Sequence, residues 1–265
     1  MNKSKTISLT PFDDINSFLQ VLLDDVRAVL GDFFVGMYLH GSLAIGDFDR
    51  NRSDIDFLVI TSKGLPESLI SDLKSMHTRI YESDLEWSAR LEAAYIPVDA
   101  MRAYSPDGPA CPLVNMNKLV NQNEFLVARP EANWVIIRHI LYTCGVVITG
   151  PPLQTIINPV SPEQLREAVL AQLRHNWTPW LSNSGLFLSS GHQPFVVLTM
   201  CRALYTLRHS TIATKLRSAE WVIANSDRKW TELIKRAMAW HFGDPSGDIG
   251  QTQEFIRYTL DEAGL

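Results

Sequence analysis

The sequence has no run of about 18 apolar residues, so no membrane-spanning helix is expected in its 265 residues. Residues 1–14 lack an apolar stretch followed by a small-residue cleavage site, so no secretory leader is expected. Cysteine is scarce. Cys111, Cys144 and Cys201 are odd in number and far apart, which suits neither a disulfide framework nor a zinc site. These absences point to the reducing cytoplasm. Basic excess is missing too. A formal net charge of -5 disfavours a general nucleic-acid binder and is compatible with a cationic substrate drawn to an acidic cleft. No internal repeat or low-complexity tract is visible.

What remains is ordinary globular material. The chain is 46% hydrophobic and 20% charged, and it is long enough to bury a real core. Its first half alternates helical and strand patterns. Ile15, Phe18, Leu19, Leu22, Leu23, Val26, Val29 and Leu30 fall on one helical stripe over 14–31, and Gly31 supplies a stop. Phe33–Leu39, Ile55–Ile60 and Leu91–Ile96 read as strands. Residues 65–80 and 134–142 read as helices, and Val146–Ile148 as a short strand. Between 100 and 130 the pattern is poor and rich in Pro, Asn and Asp, which predicts loops with room for one more strand. The second half shows helical segments over about 162–175, 194–209, 216–225, 228–241 and 251–262, with no convincing strand. An alternating half followed by a helical half predicts two domains, 1–157 and 158–265, with Ser161-Pro162 as a helix start.

The informative stretch runs from Leu39 to Ile60: a strand ending in His40-Gly41-Ser42, a loop, then Asp54-Ile55-Asp56 opening an apolar strand. Residues two apart in a strand share a face, so Asp54 and Asp56 project together. Two carboxylates that close repel each other, and a divalent cation between them lets both stay ionised. Magnesium prefers oxygen ligands and commonly binds substrate phosphates as well. Gly41 lets backbone come near a phosphate, and Ser42 adds a hydroxyl and N–H donors. Ser53 is another candidate phosphate donor, with a plain turn role as its alternative. Alone, Gly-Ser is a common turn and Asp-x-Asp a common surface pair. Their combination at this spacing carries the signal. An attacking hydroxyl also needs a proton acceptor. Glu92, flanked by apolar residues on the third strand, is the candidate, and a water-facing glutamate on an edge strand is the other reading.

Gly41-Ser42 with Asp54-x-Asp56 resembles the signature of the DNA polymerase beta-like nucleotidyltransferases. Over most of the chain the closer resemblance is to the streptomycin/spectinomycin adenylyltransferases, a branch of the aminoglycoside nucleotidyltransferases. Residues 39–44 and 52–56 resemble the active-site segment of that family, and 145–151 with 158–160 its interdomain region. Residues 196–206 resemble a helix of its C-terminal domain, and 212–215 with 219–221 the segment after it. The resemblance implies an α/β nucleotidyltransferase domain, with a mixed sheet flanked by helices, followed by an all-α C-terminal domain that helps bind substrate and ATP. It implies that Asp54, Asp56 and Glu92 hold Mg2+ and that Glu92 acts as catalytic base. Arg202 and Lys215 fall on basic residues that reach the phosphates of ATP, the co-substrate. Tyr258 is a further candidate for nucleotide contact. The implied reaction moves AMP from ATP onto a hydroxyl of an aminoglycoside or aminocyclitol antibiotic and releases pyrophosphate. The family precedent is a monomer with a small-molecule partner and neither a nucleic acid nor a membrane.

The acceptor side departs from that pattern. Residues 175–192 contain no acidic residue, where dual-specificity members use Trp and acidic side chains for cationic drugs. Trp177, Trp180 and His192 are the acceptor-side candidates, with core packing as the alternative for the tryptophans. A single-drug enzyme or a non-antibiotic acceptor fits this stretch as well as a dual one. Modification of a protein or RNA, and a nucleotide-sensing module without turnover, are the other two readings.

Overall fold

A computed structural model describes residues 9–117, 122–182, 192–241, 244 and 247–265. Chain contacts divide it into two units. The first comprises residues 1–44, 54–131 and 140–159; the second comprises 45–53, 132–139 and 160–265.

The first unit is built on a six-stranded sheet. Helix α1 (Asp13–Leu30) precedes strand β1 (Phe34–Leu39) and the short helix α2 (Gly41–Ile45). Strand β2 (Ile55–Thr61), helix α3 (Glu67–Glu82), strand β3 (Arg90–Pro97) and helix α4 (Val98–Arg102) follow. Strands β4 (Cys111–Asn117) and β5 (Gln122–Ala128), helix α5 (Asn133–Cys144), strand β6 (Val146–Thr149) and helix α6 (Leu153–Ile156) complete the half. The strand order is β5-β4-β3-β2-β1-β6. Only β2 and β3 run parallel; the other four pairs are antiparallel. A parallel pair needs a long crossover, and α3 supplies it.

The stripe on α1 buries Ile15, Phe18, Leu19, Leu22, Leu23, Val26 and Leu30, each contributing about 1.5–3 kcal/mol relative to exposure. Ahead of the helix, Thr10 N–H donates to Asn16 Oδ1 and Asn16 Nδ2 donates back to Thr10 O, both at 2.9 Å. Gly31, at φ 50°, ends it. On one face of the sheet, His77 of α3 lies near the rings of Phe57 and Tyr95 and shares a 2.7 Å hydrogen bond with the Tyr95 hydroxyl. That face continues through Phe57, Ala93 and Val114.

The region from 100 to 130 holds two strands, one more than its sequence suggests. Pro112 in β4 is a residue that rarely sits inside a sheet, and Asn115, Asn117, Asn123 and Glu124 mask the alternation. Asn115 and Glu124 fall in one row with the carboxylates of β2 and β3.

The second unit is helical. Helix α7 (Pro162–Gln172) starts from a Ser161–Gln164 capping box. A π-helical turn at Leu173–Trp177 and a 3-10 turn at Thr178–Leu181 extend it. Helices α8 (His192–His209), α9 (Lys215–Asn225), α10 (Thr231–Ala239) and α11 (Ile249–Ala263) follow. Val197, Met200 and Cys201 of α8 meet Val222, Ile234, Phe255 and Ile256 in a core whose members are fully or almost fully buried. Burial pushes the Cys201 thiol up, so it behaves as a small apolar side chain.

Burial in the first unit pushes His40 down to about 4 and His77 down to about 3. The unfolded chain takes up these protons near the ordinary imidazole value of about 6.5, well before the folded chain does. The stabilising contribution of the two neutral rings is therefore complete above about pH 6.5 and is lost as pH falls toward the depressed values. At pH 5 each costs about 2 kcal/mol relative to pH 7.5. Urea unfolding at the two pH values should show this loss, and His77→Gln should flatten the slope. Equal stability at both pH values would contradict buried neutral imidazoles.

Candidate active site

The parallel register places the two central carboxylates side by side. Asp56 of β2 pairs with Glu92 of β3, and Glu92 pairs on its other side with Asn115 of β4. Residues at one register position of a sheet share a face, so Asp56, Glu92, Asn115 and Glu124 form one polar row across four strands. The row lies at the end of β2 where the chain enters the strand.

Asp54 stands two residues before Asp56 and is half-buried. Its Oδ1 accepts a hydrogen bond from Asn117 Nδ2 at 2.9 Å. Asn117 lies two residues beyond Asn115, on the same face. This partner is invisible in the sequence pattern, because the strand that carries it is obscured by its own polar residues. The hydrogen bond orients the carboxylate of Asp54.

Gly41 and Ser42 open α2. His40 N–H donates to Asp56 O at 3.0 Å, which holds the Gly-Ser segment against the first turn of the strand. Gly41 has φ +58°, and a Cβ there would run into the Asp56 carboxylate and lie 2.5 Å from its Cγ. Only glycine combines that backbone with that approach. The Ser42 hydroxyl is buried without a hydrogen-bond partner, a costly state unless a ligand satisfies it. Ser53 Oγ accepts the Asp49 N–H at 3.0 Å, the turn role; its O–H hydrogen can still be donated.

Glu92 is exposed. The apolar flanks that mark it in sequence belong to the opposite face and to the interior of β3, and the strand is central, not an edge. Its fitness as a base rests on its place beside Asp56, not on desolvation. Among the described residues, no group of three or more His, Cys, Asp or Glu side chains forms a ready-made metal cage. An open set of carboxylates suits magnesium, which keeps several waters and takes up substrate phosphate oxygens. The residues present fit such an ion: two oriented carboxylates, a third on the adjacent strand, and an unsatisfied serine hydroxyl.

In the helical unit, Lys215 is the first residue of α9, and its N–H donates to Asp47 Oδ2 at 2.9 Å. The Lys215 ammonium lies 4.5 Å from the centre of the Phe195 ring. Burial raises the Asp47 carboxyl above its usual range, against the opposing pull of the Lys215 N–H and the Lys215 and Arg202 charges. Arg202 and Lys215 are thus gathered around one acid. Sequence reasoning missed Asp47, which reads as the second residue of a Gly-Asp turn.

The acceptor-side residues fare differently. Trp177 is only 9% exposed and belongs to the helical core, with its ring centroid 5.3 Å from Trp180 and 6.1 Å from Phe195. Its ring packs in the core, the alternative that the sequence left open for it. Trp180 is partly buried against the same core. His192 opens α8, and its side chain lies outside the described residues, as does the whole stretch from 183 to 191. Tyr258 packs on Trp230 and Phe255 and lines a cavity of about 190 Å³ with Arg166, Arg208 and Glu262. None of the residues described around Arg202 and Lys215 lines that cavity.

Comparison with known proteins matches residues 23–110 to the nucleotidyltransferase domain and residues 155–262 to the C-terminal domain of aminoglycoside adenylyltransferases. A spectinomycin 9-adenylyltransferase of Campylobacter jejuni is 23% identical over 248 residues, spanning 89% of this chain and 90% of its own. An aminoglycoside (3'') (9) adenylyltransferase of Escherichia coli is 23% identical over 262 residues, spanning 94% and 95%. The crystal structure of a spectinomycin adenyltransferase from Enterococcus faecialis, with ATP and spectinomycin, superposes with a TM-score of 0.71 at 18% identity, over 96% of this chain and 99% of that one. A mixed sheet carrying Gly41-Ser42 and Asp54-x-Asp56, a helical second unit, and both domain matches in that order mean that the chain belongs to the aminoglycoside nucleotidyltransferases.

Proposed function

We propose that this chain is a magnesium-dependent O-adenylyltransferase that moves AMP from ATP to a hydroxyl of an aminoglycoside or aminocyclitol antibiotic of the streptomycin or spectinomycin type. The single observation that carries the chemistry is the register that sets Glu92 beside Asp56, with Asp54 two residues away and held by Asn117. The named activities of the relatives support the acceptor class.

Asp54, Asp56 and Glu92 would hold the metal. Bound there, magnesium supplies positive charge that orients the triphosphate and offsets charge on the attacking and leaving oxygens. Glu92 takes the proton from the acceptor hydroxyl, whose oxygen attacks the α-phosphorus in line. The bond from the α-phosphorus to the bridging oxygen breaks, and pyrophosphate leaves. Ser42 Oγ and the nearby backbone N–H groups bind phosphate oxygens. Arg202 and Lys215 stabilise the negative charge that grows on the leaving group. Trp180 and His192 are the remaining acceptor-side candidates, and the cytoplasm is the working compartment.

Pyrophosphate release by the purified chain, with Mg-ATP and a panel of aminoglycosides, tests this. Release should require a drug, stop on chelation of the metal, and fall about 100-fold or more in Glu92→Gln and similarly in Asp54→Asn. Drug-independent release, or tight Mg-ATP binding with no drug turned over, would reject the antibiotic assignment.

Gly41→Ala offers a sharper check on geometry. The added methyl meets the Asp56 carboxylate at a backbone angle that L-residues avoid. Mg-ATP affinity should drop at least tenfold while the circular dichroism spectrum is retained. Unchanged affinity would remove Gly41 and Asp56 from the phosphate site.

A further inference from the structure

The loop of residues 45–53 lies between Gly41-Ser42 and Asp54 in the chain, yet its contacts place it with the helical unit. Two side chains of opposite charge fasten it there. Near its start, Asp47 Oδ2 accepts the N–H of Lys215 at 2.9 Å, and the N–H of Leu216 also bonds to this carboxylate. Asp47 thereby meets the positive end of α9, an eleven-residue helix. Near the end of the loop, Arg52 Nη1 donates to Met238 O at 2.9 Å and Trp240 O at 3.0 Å. These carbonyls flank Ala239, the last residue of α10, so the guanidinium meets the negative end of that helix.

Arg52 also organises the loop itself. Its Nε and Nη2 lie 2.8 and 2.7 Å from Asp49 Oδ2. Asp49 Oδ1 accepts the Asn51 N–H at 2.9 Å, and Asp49 O accepts the N–H groups of Arg52 and Ser53 at 3.0 and 2.8 Å. The Arg52 and Asp49 side chains are 23% and 30% exposed, so the pair is sheltered from much of the screening that weakens surface ion pairs. The five-residue turn from Asp49 to Ser53 is thus rigid, anchored at its Arg, and followed directly by Asp54.

We propose that Asp47 and Arg52 are positioning residues that strap this loop to the ends of α9 and α10 and so deliver Asp54 to the metal–triphosphate site in a single conformation. The role rests on the proposed function, since it presumes that Asp54 binds Mg-ATP. Arg52 acts on Asp54 through the backbone of the turn that it anchors, two residues upstream.

The test uses the full chain with Mg-ATP alone, so no acceptor need be known. Calorimetry should show a clear loss of Mg-ATP affinity in Arg52→Ala, because Asp54 is no longer held in one conformation. Arg52→Lys should recover part of the affinity, because an ammonium can still cap the carbonyls but cannot hold Asp49 at two points. Hydrogen exchange without ligand should speed up at the amides of Arg52 and Ser53 in Arg52→Ala, with the unfolding temperature within a few degrees of wild type. Asp47→Asn, which keeps the fold's shape, should weaken Mg-ATP in the same direction. Wild-type affinity and exchange in both Arg52→Ala and Asp47→Asn would overturn the strap while leaving the proposed function intact. A wild-type chain that binds no Mg-ATP would instead overturn the proposed function, and the positioning role with it.

Discussion

Like charges held on neighbouring strands repel, and a fold that keeps Asp56 opposite Glu92 must offset that repulsion with fixed partners. Here the offset starts from the ladder itself. Seven consecutive residue pairs from Ile55 with Leu91 to Thr61 with Pro97 join the only parallel pair of the sheet, and both strands are buried along most of their length. Sliding either strand by one residue would turn its polar residues into the apolar interior. The apolar remainder of β2 and β3 therefore pins the carboxylates at the mouth of the sheet. Gly41 fits the backbone against one of them, and Asn117 orients the acid that precedes them.

Some of this could be read before any coordinates. An apolar run opened by Asp-x-Asp already says which residues share a face, because the strand period is two. The stripe on α1 and the Ser161-Pro162 helix start were equally plain. Pairing partners were not. Nothing in the spacing of Asp54 and Asn117 relates them, since register between distant strands is set by the packing of the whole sheet. β4 and β5 were obscured for a related reason: their polar residues serve the open end of the sheet, so the alternation of a half-buried strand is blurred where the site lies. For Glu92 the sequence left two readings open; the residue is exposed, but on an inner strand and not at an edge.

The helical unit shows a division of labour by face. Along α8, Val197, Met200, Cys201 and Leu204 enter the core, while Phe195 meets Lys215 and Arg202 acts on Asp47. Two cations, Lys215 and Arg202, act on the partly buried acid Asp47. The tryptophans before α8 belong to the structural side of this division: Trp177 is part of the core and Trp180 packs against it.

Because residues 45–53 and 132–139 belong with the helical unit, the two halves are interleaved along the chain. Recombination between relatives therefore has no clean crossover point near residue 160. A chimaera that borrows only the C-terminal half keeps the native Asp47 and Arg52, and it is viable only if the grafted chain brings the ends of α9 and α10 to the same two places. An exchange of the helical unit has to move three segments together, 45–53, 132–139 and 160–265.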